Sequence, residues 1–148
     1  MKRVSKNQII WGGNYFLDHL GATECMICWD KKRVDLNFAD GEIAWTSFKM
    51  PVRIFRFKWN GMLQEDMLNK EDRIHPTQKP VRLYQWILER FAKEGDKILD
   101  THLGSGSSRI AAYEMGYDFV GYEIDKVFFD EQEKRFRNHT AQQSLFIM

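Results

Sequence analysis

A glycine-rich turn between a strand and a helix constrains the fold of this chain more than any other feature. Residues 97–103 (KILDTHL) predict a strand, 104–116 (GSGSSRIAAYEMG) predict a turn that opens a helix, and 118–125 (DFVGYEID) predict the next strand. The connection between the two strands is a helical crossover, which makes the strands parallel. The fold class is therefore predicted to be α/β, with helices covering the sheet.

The part of the chain before this unit is predicted to be rich in strands. Strands are predicted in four segments: NQIIWGG (7–13), ECMICWD (24–30), GEIAWTSF (41–48) and VRIFRFKW (52–59). The last two flank Met50-Pro51 and predict a hairpin or meander, whereas the polar residues 60–74 predict a loop. Asn14 is predicted to cap a helix that follows the first strand.

Helices surround the glycine-rich turn in sequence. The apolar residues of VRLYQWILERF (81–91) recur at helical spacing, and Gly95 is predicted to end that helix. A final helix is predicted through about residue 137. The 148 residues, 43% hydrophobic and 29% charged, have the profile of one globular domain. No segment approaches the ~20 apolar residues of a membrane helix, and the N-terminus has no signal-peptide pattern, so the chain is interpreted as cytoplasmic.

Cysteine and histidine usage indicates no metal site. Cys25 and Cys28 are the two cysteines, and a zinc ribbon would need a second pair of ligands. On a strand their side chains point to opposite faces, so buried small apolar residues are a better interpretation than a redox pair. The four histidines show no ligand spacing, and we assign no metal.

The balance of charge differs between the two halves of the chain. Residues 1–60 hold 10 Lys and Arg against 6 Asp and Glu, whereas 61–148 hold 12 against 15. Basic residues alternate with aromatic residues in the segment 52–59, where Arg53, Arg56 and Lys58 are the cations. Such a strand suits contact with nucleic-acid phosphates and bases, although an ordinary strand with one solvated face fits the pattern equally well.

Two acidic residues flank the turn and indicate an adenosine-bearing cofactor. Glu123 lies at the end of the second strand, where a carboxylate can accept hydrogen bonds from both ribose hydroxyls. Dinucleotides and S-adenosylmethionine both fit that position. The dinucleotide fingerprint has a third glycine where this chain has Arg109, and Asp100 would repel a diphosphate but suit the cationic S-adenosylmethionine.

The segment from HPTQKP (75–80) to GYEID (121–125) closely resembles the DNA methyltransferases that modify adenine N6 or cytosine N4. The segments WGGNYF (11–16), WDK (29–31) and FADGEIAWTSF (38–48) also resemble that family, in the type whose cofactor half follows its catalytic half. The resemblance implies a Rossmann-like methyltransferase sheet flanked by helices. It also implies transfer of a methyl group from S-adenosylmethionine to double-stranded DNA, with adenine N6 favoured over cytosine N4.

The resemblance also assigns roles to individual residues. It implies that the cofactor loop is formed by Asp100, Leu103, Gly104 and Gly106. It also implies that Glu123 binds the ribose and that Ile124 and Asp125 flank the adenine. It implies that the segment before residue 81 closes over the methionine end with Lys79 near the carboxylate, although the prolines there can simply start a helix. The implied cofactor-binding residues are Thr77, Gln78, Lys79, Pro80, Asp100, Leu103, Gly104, Gly106, Glu123, Ile124 and Asp125.

The sequence departs from the family at the catalytic motif, a tetrapeptide of the form Asp/Asn/Ser-Pro-Pro-aromatic. The three prolines are Pro51, Pro76 and Pro80, and no two are adjacent. We therefore expect 1–148 to be one partial methyltransferase domain, with a β-rich substrate-side part (1–60) and a cofactor-binding part (75–137), lacking the strand that carries the motif. On this view the chain alone is inactive, and its partners include DNA and a separate catalytic half or a second copy.

Two other functions stay open on the sequence. One is a DNA- or protein-binding remnant that keeps the fold without turnover. The other is a dinucleotide-dependent oxidoreductase, which Arg109 disfavours.

Overall fold

The computed structural model describes residues 3–33, 39–60 and 63–146, with the backbone alone for 143–146. The chain divides into two compact units, Met1–Lys70 and Glu71–Met148. The single partial domain expected for 1–148 stays a prediction. No helix within the described ranges combines the length and apolar character needed to cross a membrane.

A mixed four-stranded sheet forms the body of the first unit. Its elements are β1 (Ile9–Trp11), a 3-10 helix (Gly13–Phe16), α1 (Leu17–Leu20), β2 (Met26–Asp30), β3 (Gly41–Thr46) and β4 (Arg53–Arg56), followed by a small hairpin of β5 (Trp59–Asn60) and β6 (Leu63–Gln64). The strand order is β1-β3-β2-β4, with β3 antiparallel to both neighbours and β4 parallel to β2. The buried face of β2 carries Ile27 and Trp29, at 0% and 1% exposure.

Three predictions for this unit are wrong. The strands β3 and β4 form no hairpin with each other, because β4 crosses over to pair with β2 in the register Trp29 to Phe55. Asn14 caps no helix, because it lies inside the 3-10 helix that begins at Gly13, and α1 begins only at Leu17 without a side-chain cap. The stretch predicted as a loop after residue 60 contains part of the β5–β6 hairpin.

The two cysteines differ in burial because they lie on opposite faces of the chain at β2. Cys25 is completely buried, as predicted, whereas Cys28 is only half-buried, so it is less enclosed than expected. Both are free thiols.

A parallel strand pair flanked by helices forms the second unit. Its elements are α2 (Val81–Phe91), β7 (Lys97–Asp100), α3 (Ser107–Glu114), β8 (Asp118–Gly121) and α4 (Lys126–Phe146). The strands β7 and β8 are parallel, with Ile98 opposite Phe119, as the crossover predicted. Leu88 of α2 packs with Ala111 and Ala112 of α3 in the core of this unit. The two small alanine side chains allow close packing between the helices.

The ends of two helices differ from the predictions. The helix α2 ends at Phe91 and not at Gly95, which lies in the turn before β7. The cofactor-binding part was predicted to end near residue 137, but α4 continues to Phe146. The residues after 137 are mostly polar, so they carry no apolar repeat that could have predicted the extension.

Candidate functional site

The glycine-rich turn joins β7 to α3 at the carboxyl ends of the parallel strands. The amide of Leu103 donates a hydrogen bond to the carbonyl of Tyr122 at 2.9 Å, which holds the turn beside the chain leaving β8. Gly104 and Gly106 have φ values of +53° and +74°, in the left-handed region that side-chain-bearing residues rarely adopt. The local backbone therefore requires glycine at both positions and brings bare main chain to this edge of the sheet.

Glu123 is fixed against the turn by two backbone amides. Its Oε2 accepts a hydrogen bond from the Gly104 amide at 2.8 Å, and its Oε1 accepts one from the Asp125 amide at 3.0 Å. The Asp125 amide, and then the Gly104 amide, hold the pKa of the Glu123 carboxyl below its usual value, against an opposing effect of burial. The group is therefore an ionised acceptor at neutral pH, and its oxygens keep lone pairs for further donors.

Asp100, the last residue of β7, places a second carboxylate next to the turn. Its Oδ1 accepts the amide of His102 at 3.0 Å, and its Oδ2 accepts the hydroxyl of Ser108 at 2.5 Å. Ser108 is the second residue of α3, so the carboxylate lies at the helix N-terminus. A diphosphate bound at that terminus would meet a negative charge already in place, whereas a cation would be attracted.

The segment before α2 folds against the same turn. The Gln78 side chain is buried and bridges its own loop, accepting the Ile74 amide at 2.9 Å and donating to the Asp72 carbonyl at 2.9 Å. Gln78 thus shapes the loop, and its side-chain polar atoms are already engaged there. Thr77 is exposed, Lys79 is half-buried and Pro80 is fully buried.

His75, to which the sequence analysis assigned no role, links this loop to the turn. A Cβ placed on Gly104 would lie 3.5 Å from Nδ1 of His75, which is ordinary contact. The His75 ring also meets the Phe128 ring edge-on at a centroid distance of 4.3 Å, and its Nδ1 lies 3.1 Å from the Thr77 hydroxyl. The loop and the turn are therefore neighbours in space.

The two residues after Glu123 have different surroundings. Ile124 is fully exposed. The Asp125 carboxylate accepts the amides of Val127 and Phe128 at 2.8 and 3.3 Å, so it caps α4. The exposed Ile124 leaves an apolar surface beside the turn, while Asp125 has a structural role that the sequence analysis did not predict.

A group of buried and half-buried polar side chains contacts the turn and was missed by the sequence analysis. Arg135 of α4 contacts Ser105, Ser107 and Glu71. Gln132, which is completely buried, lies against Gly106. The contact between Arg135 and Glu71 spans 64 residues of sequence, and neither residue belongs to a motif, so no local signal could have found it.

The basic candidates of the first unit lie on and beside β4, which is an edge strand. Arg53 and Arg56 are exposed, and Lys58 is half-buried. Arg56 approaches Asp30 at 3.6 Å, an exposed pair that contributes little to stability. Arg53, Ile54 and Arg56 are exposed and Phe55 is buried, so burial does not alternate along β4, and the contact with nucleic acid stays a prediction.

Comparison with known proteins points to one family. The family described as DNA methylase, of the N6/N4 type, matches residues 8–134. The type II methyltransferase M2.DpnII of Streptococcus pneumoniae is 38% identical over 77 residues, which make up 52% of this chain and 28% of that protein. The type II methyltransferase M2.LlaDCHI of Lactococcus lactis subsp. cremoris is 38% identical over 61 residues, or 41% of this chain and 23% of that protein.

A solved structure extends the likeness to the fold. The crystal structure of the M1.HpyAVI–SAM complex is similar with a TM-score of 0.62 and 26% sequence identity, covering 87% of this chain and 73% of that chain. This likeness confirms the predicted α/β, Rossmann-like methyltransferase architecture. The matched segments nevertheless span only 28% and 23% of the two curated relatives.

Proposed function

Since this chain belongs to the N6/N4 DNA methylase family, we propose that residues 71–148 bind S-adenosylmethionine for methylation of an exocyclic amino group in double-stranded DNA. The observation that carries the proposal is that two carboxylates, Asp100 and Glu123, both adjoin a left-handed glycine turn. Adenine N6 is proposed over cytosine N4 on the sequence resemblance alone.

The side chains around the turn fit this cofactor better than a dinucleotide. Glu123 is held as a carboxylate and can accept both ribose hydroxyls. The Asp100 carboxylate, which accepts the Ser108 hydroxyl at the start of α3, suits the α-ammonium group and opposes a diphosphate. The side chain of Arg109 points to α4, where it pairs with Glu133 and stacks on Phe136, so it offers no charge compensation at the turn.

The other proposed contacts surround these two carboxylates. When bound, the cofactor supplies a methyl group activated by a positively charged sulfur. Leu103, Gly104 and Gly106 offer main chain at the turn, and Ile124 offers an exposed apolar surface for the adenine. Lys79 and Thr77 contribute from the loop before α2, while Gln78, Pro80 and Asp125 shape the segments that carry the contacts.

Transfer itself needs groups that these 148 residues do not contain. The attacking amino nitrogen must be oriented by acceptors for its two N–H groups, and the flipped base needs a stacking partner. In this family an Asp/Asn/Ser-Pro-Pro-aromatic tetrapeptide meets both needs, and the chain has no adjacent prolines. We therefore propose that this stretch binds cofactor and DNA but transfers no methyl group without a catalytic half from elsewhere.

Calorimetric titration tests the proposed cofactor. We expect the 148-residue chain to bind S-adenosylmethionine at one site and NAD not at all. Binding of NAD instead would favour the oxidoreductase alternative, and a folded sample that binds neither would overturn the cofactor assignment. Incubation of the chain with duplex DNA and methyl-labelled cofactor tests the proposed need for a catalytic half. Label incorporation into the DNA above a protein-free blank would contradict that need.

Removing the exposed arginines of β4 tests the proposed DNA contact. We expect the Arg53→Ala/Arg56→Ala variant to bind duplex DNA of every sequence more weakly, because both guanidinium groups are exposed on an edge strand. The slope of log K against log salt concentration should fall by about 0.9 for each phosphate that the variant no longer neutralises. Fluorescence anisotropy at several salt concentrations measures both quantities.

A charge-matched control separates a specific contact from a change in net charge. The Arg82→Ala/Lys93→Ala variant removes two exposed cations from the second unit, on and just after α2. Its DNA affinity and salt slope should stay close to those of the parent chain. Equal weakening in both variants would mean that β4 is ordinary surface.

A further inference from the structure

One arginine on α4, Arg135, donates hydrogen bonds to the glycine-rich turn. Nη1 of Arg135 donates to the Ser105 carbonyl at 2.8 Å and to the Ser107 hydroxyl at 2.9 Å. The Arg135 side chain is 15% exposed. Ser105 lies between the two left-handed glycines, so the direction of its carbonyl is coupled to the backbone angles of both.

The same guanidinium is anchored by an acid from another segment. Nη2 of Arg135 donates to Oε2 of Glu71 at 2.6 Å, and Oε1 of Glu71 accepts the amide of Val81 at 2.9 Å. Val81 is the first residue of α2, so one ion pair between half-buried side chains ties α4, the turn and the start of α2 together. The loop that precedes α2 is the one that lies against Gly104 through His75.

Burial makes the two charges depend on each other. Burial raises the pKa of the Glu71 carboxyl, against the lowering effect of the nearby Arg135 charge. Burial lowers the pKa of the Arg135 guanidinium, against the raising effect of the Glu71 charge. Loss of either partner would therefore leave a buried charge without compensation. Removing the two charges from water costs free energy, and Arg135 also bonds the turn, which indicates a role in fixing the turn's conformation.

The packing beside the pair supports that role. A Cβ on Gly106 would lie 3.0 Å from Oε1 of Gln132, which is on α4 one turn before Arg135. Oε1 of Gln132 in turn accepts Nη1 of Arg109 at 3.1 Å. The helix α4 thus lies close to both the Ser105 carbonyl and Gly106 of the turn.

We propose that Arg135, held by Glu71, is a positioning residue that sets the conformation of the turn 101–106 and, through it, the affinity of the cofactor site. The effect on cofactor affinity rests on the proposed function, whereas the effect on the turn's conformation rests on the contacts of Arg135. Its planar fork bonds Glu71 and Ser105 at once, which a lysine ammonium on a flexible chain cannot reproduce with the same geometry.

Two measurements on one set of variants test the proposal. The variants are Arg135→Met, Arg135→Lys and Glu71→Gln, and Arg137→Met is the matched control, an exposed arginine on the same helix. The first measurement is calorimetric titration with S-adenosylmethionine at a temperature where circular dichroism shows each variant folded. The second is the ¹H–¹⁵N spectrum of glycine-labelled chain, with Gly104 and Gly106 as reporters and Gly12 and Gly13 as references.

We expect Arg135→Met to weaken cofactor binding about 10-fold or more, the size expected for removal of one charged hydrogen bond. Arg135→Lys and Glu71→Gln should weaken binding by less, and all three should move the Gly104 and Gly106 signals while Gly12 and Gly13 stay in place. Arg137→Met should change neither measurement. A purely stabilising role would lower the melting temperature and leave the affinity of the folded variants unchanged.

The outcomes that would overturn the inference differ from the outcome that would overturn the proposed function. Parent-like affinity and unmoved glycine signals in folded Arg135→Lys and Glu71→Gln would overturn the inference, also where Arg135→Met fails to fold. If the parent chain does not bind S-adenosylmethionine, the proposed function fails. The Gly104 and Gly106 signals of Arg135→Lys then still report whether Arg135 positions the turn.

Discussion

Replacement of Trp29 with alanine is expected to destabilise the first unit by about 3–5 kcal/mol, the range for removal of a large buried aromatic side chain. Trp29 is 1% exposed and lies on β2, between β3 and β4. Its indole Nε1 donates to the Phe57 carbonyl at 3.0 Å, and its ring meets Trp11 edge-on at a centroid distance of 6.4 Å. The variant therefore loses packing and leaves the Phe57 carbonyl without this donor.

Urea unfolding followed by circular dichroism measures the effect, and hydrogen exchange locates it. Amides of β2 to β4 should exchange faster in Trp29→Ala. Trp29→Phe keeps a ring but loses the N–H donor, so it should fall between the parent and Trp29→Ala. Leu68→Ala is the control in the same unit, because Leu68 is 97% exposed and its removal should leave stability nearly unchanged. Equal stability of Trp29→Ala and Leu68→Ala would contradict the described core.

The parallel pair of the second unit could be predicted because local signals agreed with each other. The strand β7, the turn, α3 and β8 follow in an order that a right-handed crossover can connect in only one way. Gly104 and Gly106 supplied the turn signal, and both have the left-handed backbone that glycine favours. Periodicity and turn chemistry within some thirty residues were therefore sufficient for this part of the fold.

The position of β4 could not be predicted, because strand pairing is a choice among distant partners. The short link through Pro51 favours a hairpin with β3, yet β4 pairs with β2 and buries Phe55 beside Trp29. Both arrangements satisfy the alternation of side chains along β4. The burial of aromatic side chains in the whole sheet decides between them, and that is a property of the tertiary structure.

The candidate site shows the same division between local and distant information. Asp100 ends β7, and Glu123 lies two residues after the end of β8, which is shorter than the predicted strand 118–125. Both could be placed because ligands bind at this edge of such sheets. The bond between Arg135 and Glu71 joins residues 64 positions apart, and no sequence pattern indicates it. The side chain of the buried Gln78 bonds to its own loop and not to the turn. A sequence motif can indicate that such a residue is important, but it does not give the direction of the side chain.

The two carboxylates are expected to account for most of the affinity for S-adenosylmethionine. Loss of one charge-assisted interaction costs about 1–3 kcal/mol, so Glu123→Ala and Asp100→Ala should each weaken binding by that amount. Their hydrogen-bond partners differ, the Gly104 and Asp125 amides for Glu123 and the Ser108 hydroxyl and His102 amide for Asp100. With no shared partner, the two effects should add to about 2–6 kcal/mol in the double variant.

A double-mutant cycle by calorimetry measures these two effects and their coupling. Glu94→Ala/Glu131→Ala, which removes two exposed glutamates, controls for the change in net charge and should bind like the parent. Glu123→Gln and Asp100→Asn keep the shape of each side chain, so weakening in them assigns the effect to charge. A double variant that binds as tightly as the control would show that the turn holds the cofactor through its main chain alone. The roles proposed for Asp100 and Glu123 would then be wrong, because neither carboxyl group would contribute to recognition of a ribose or an ammonium group.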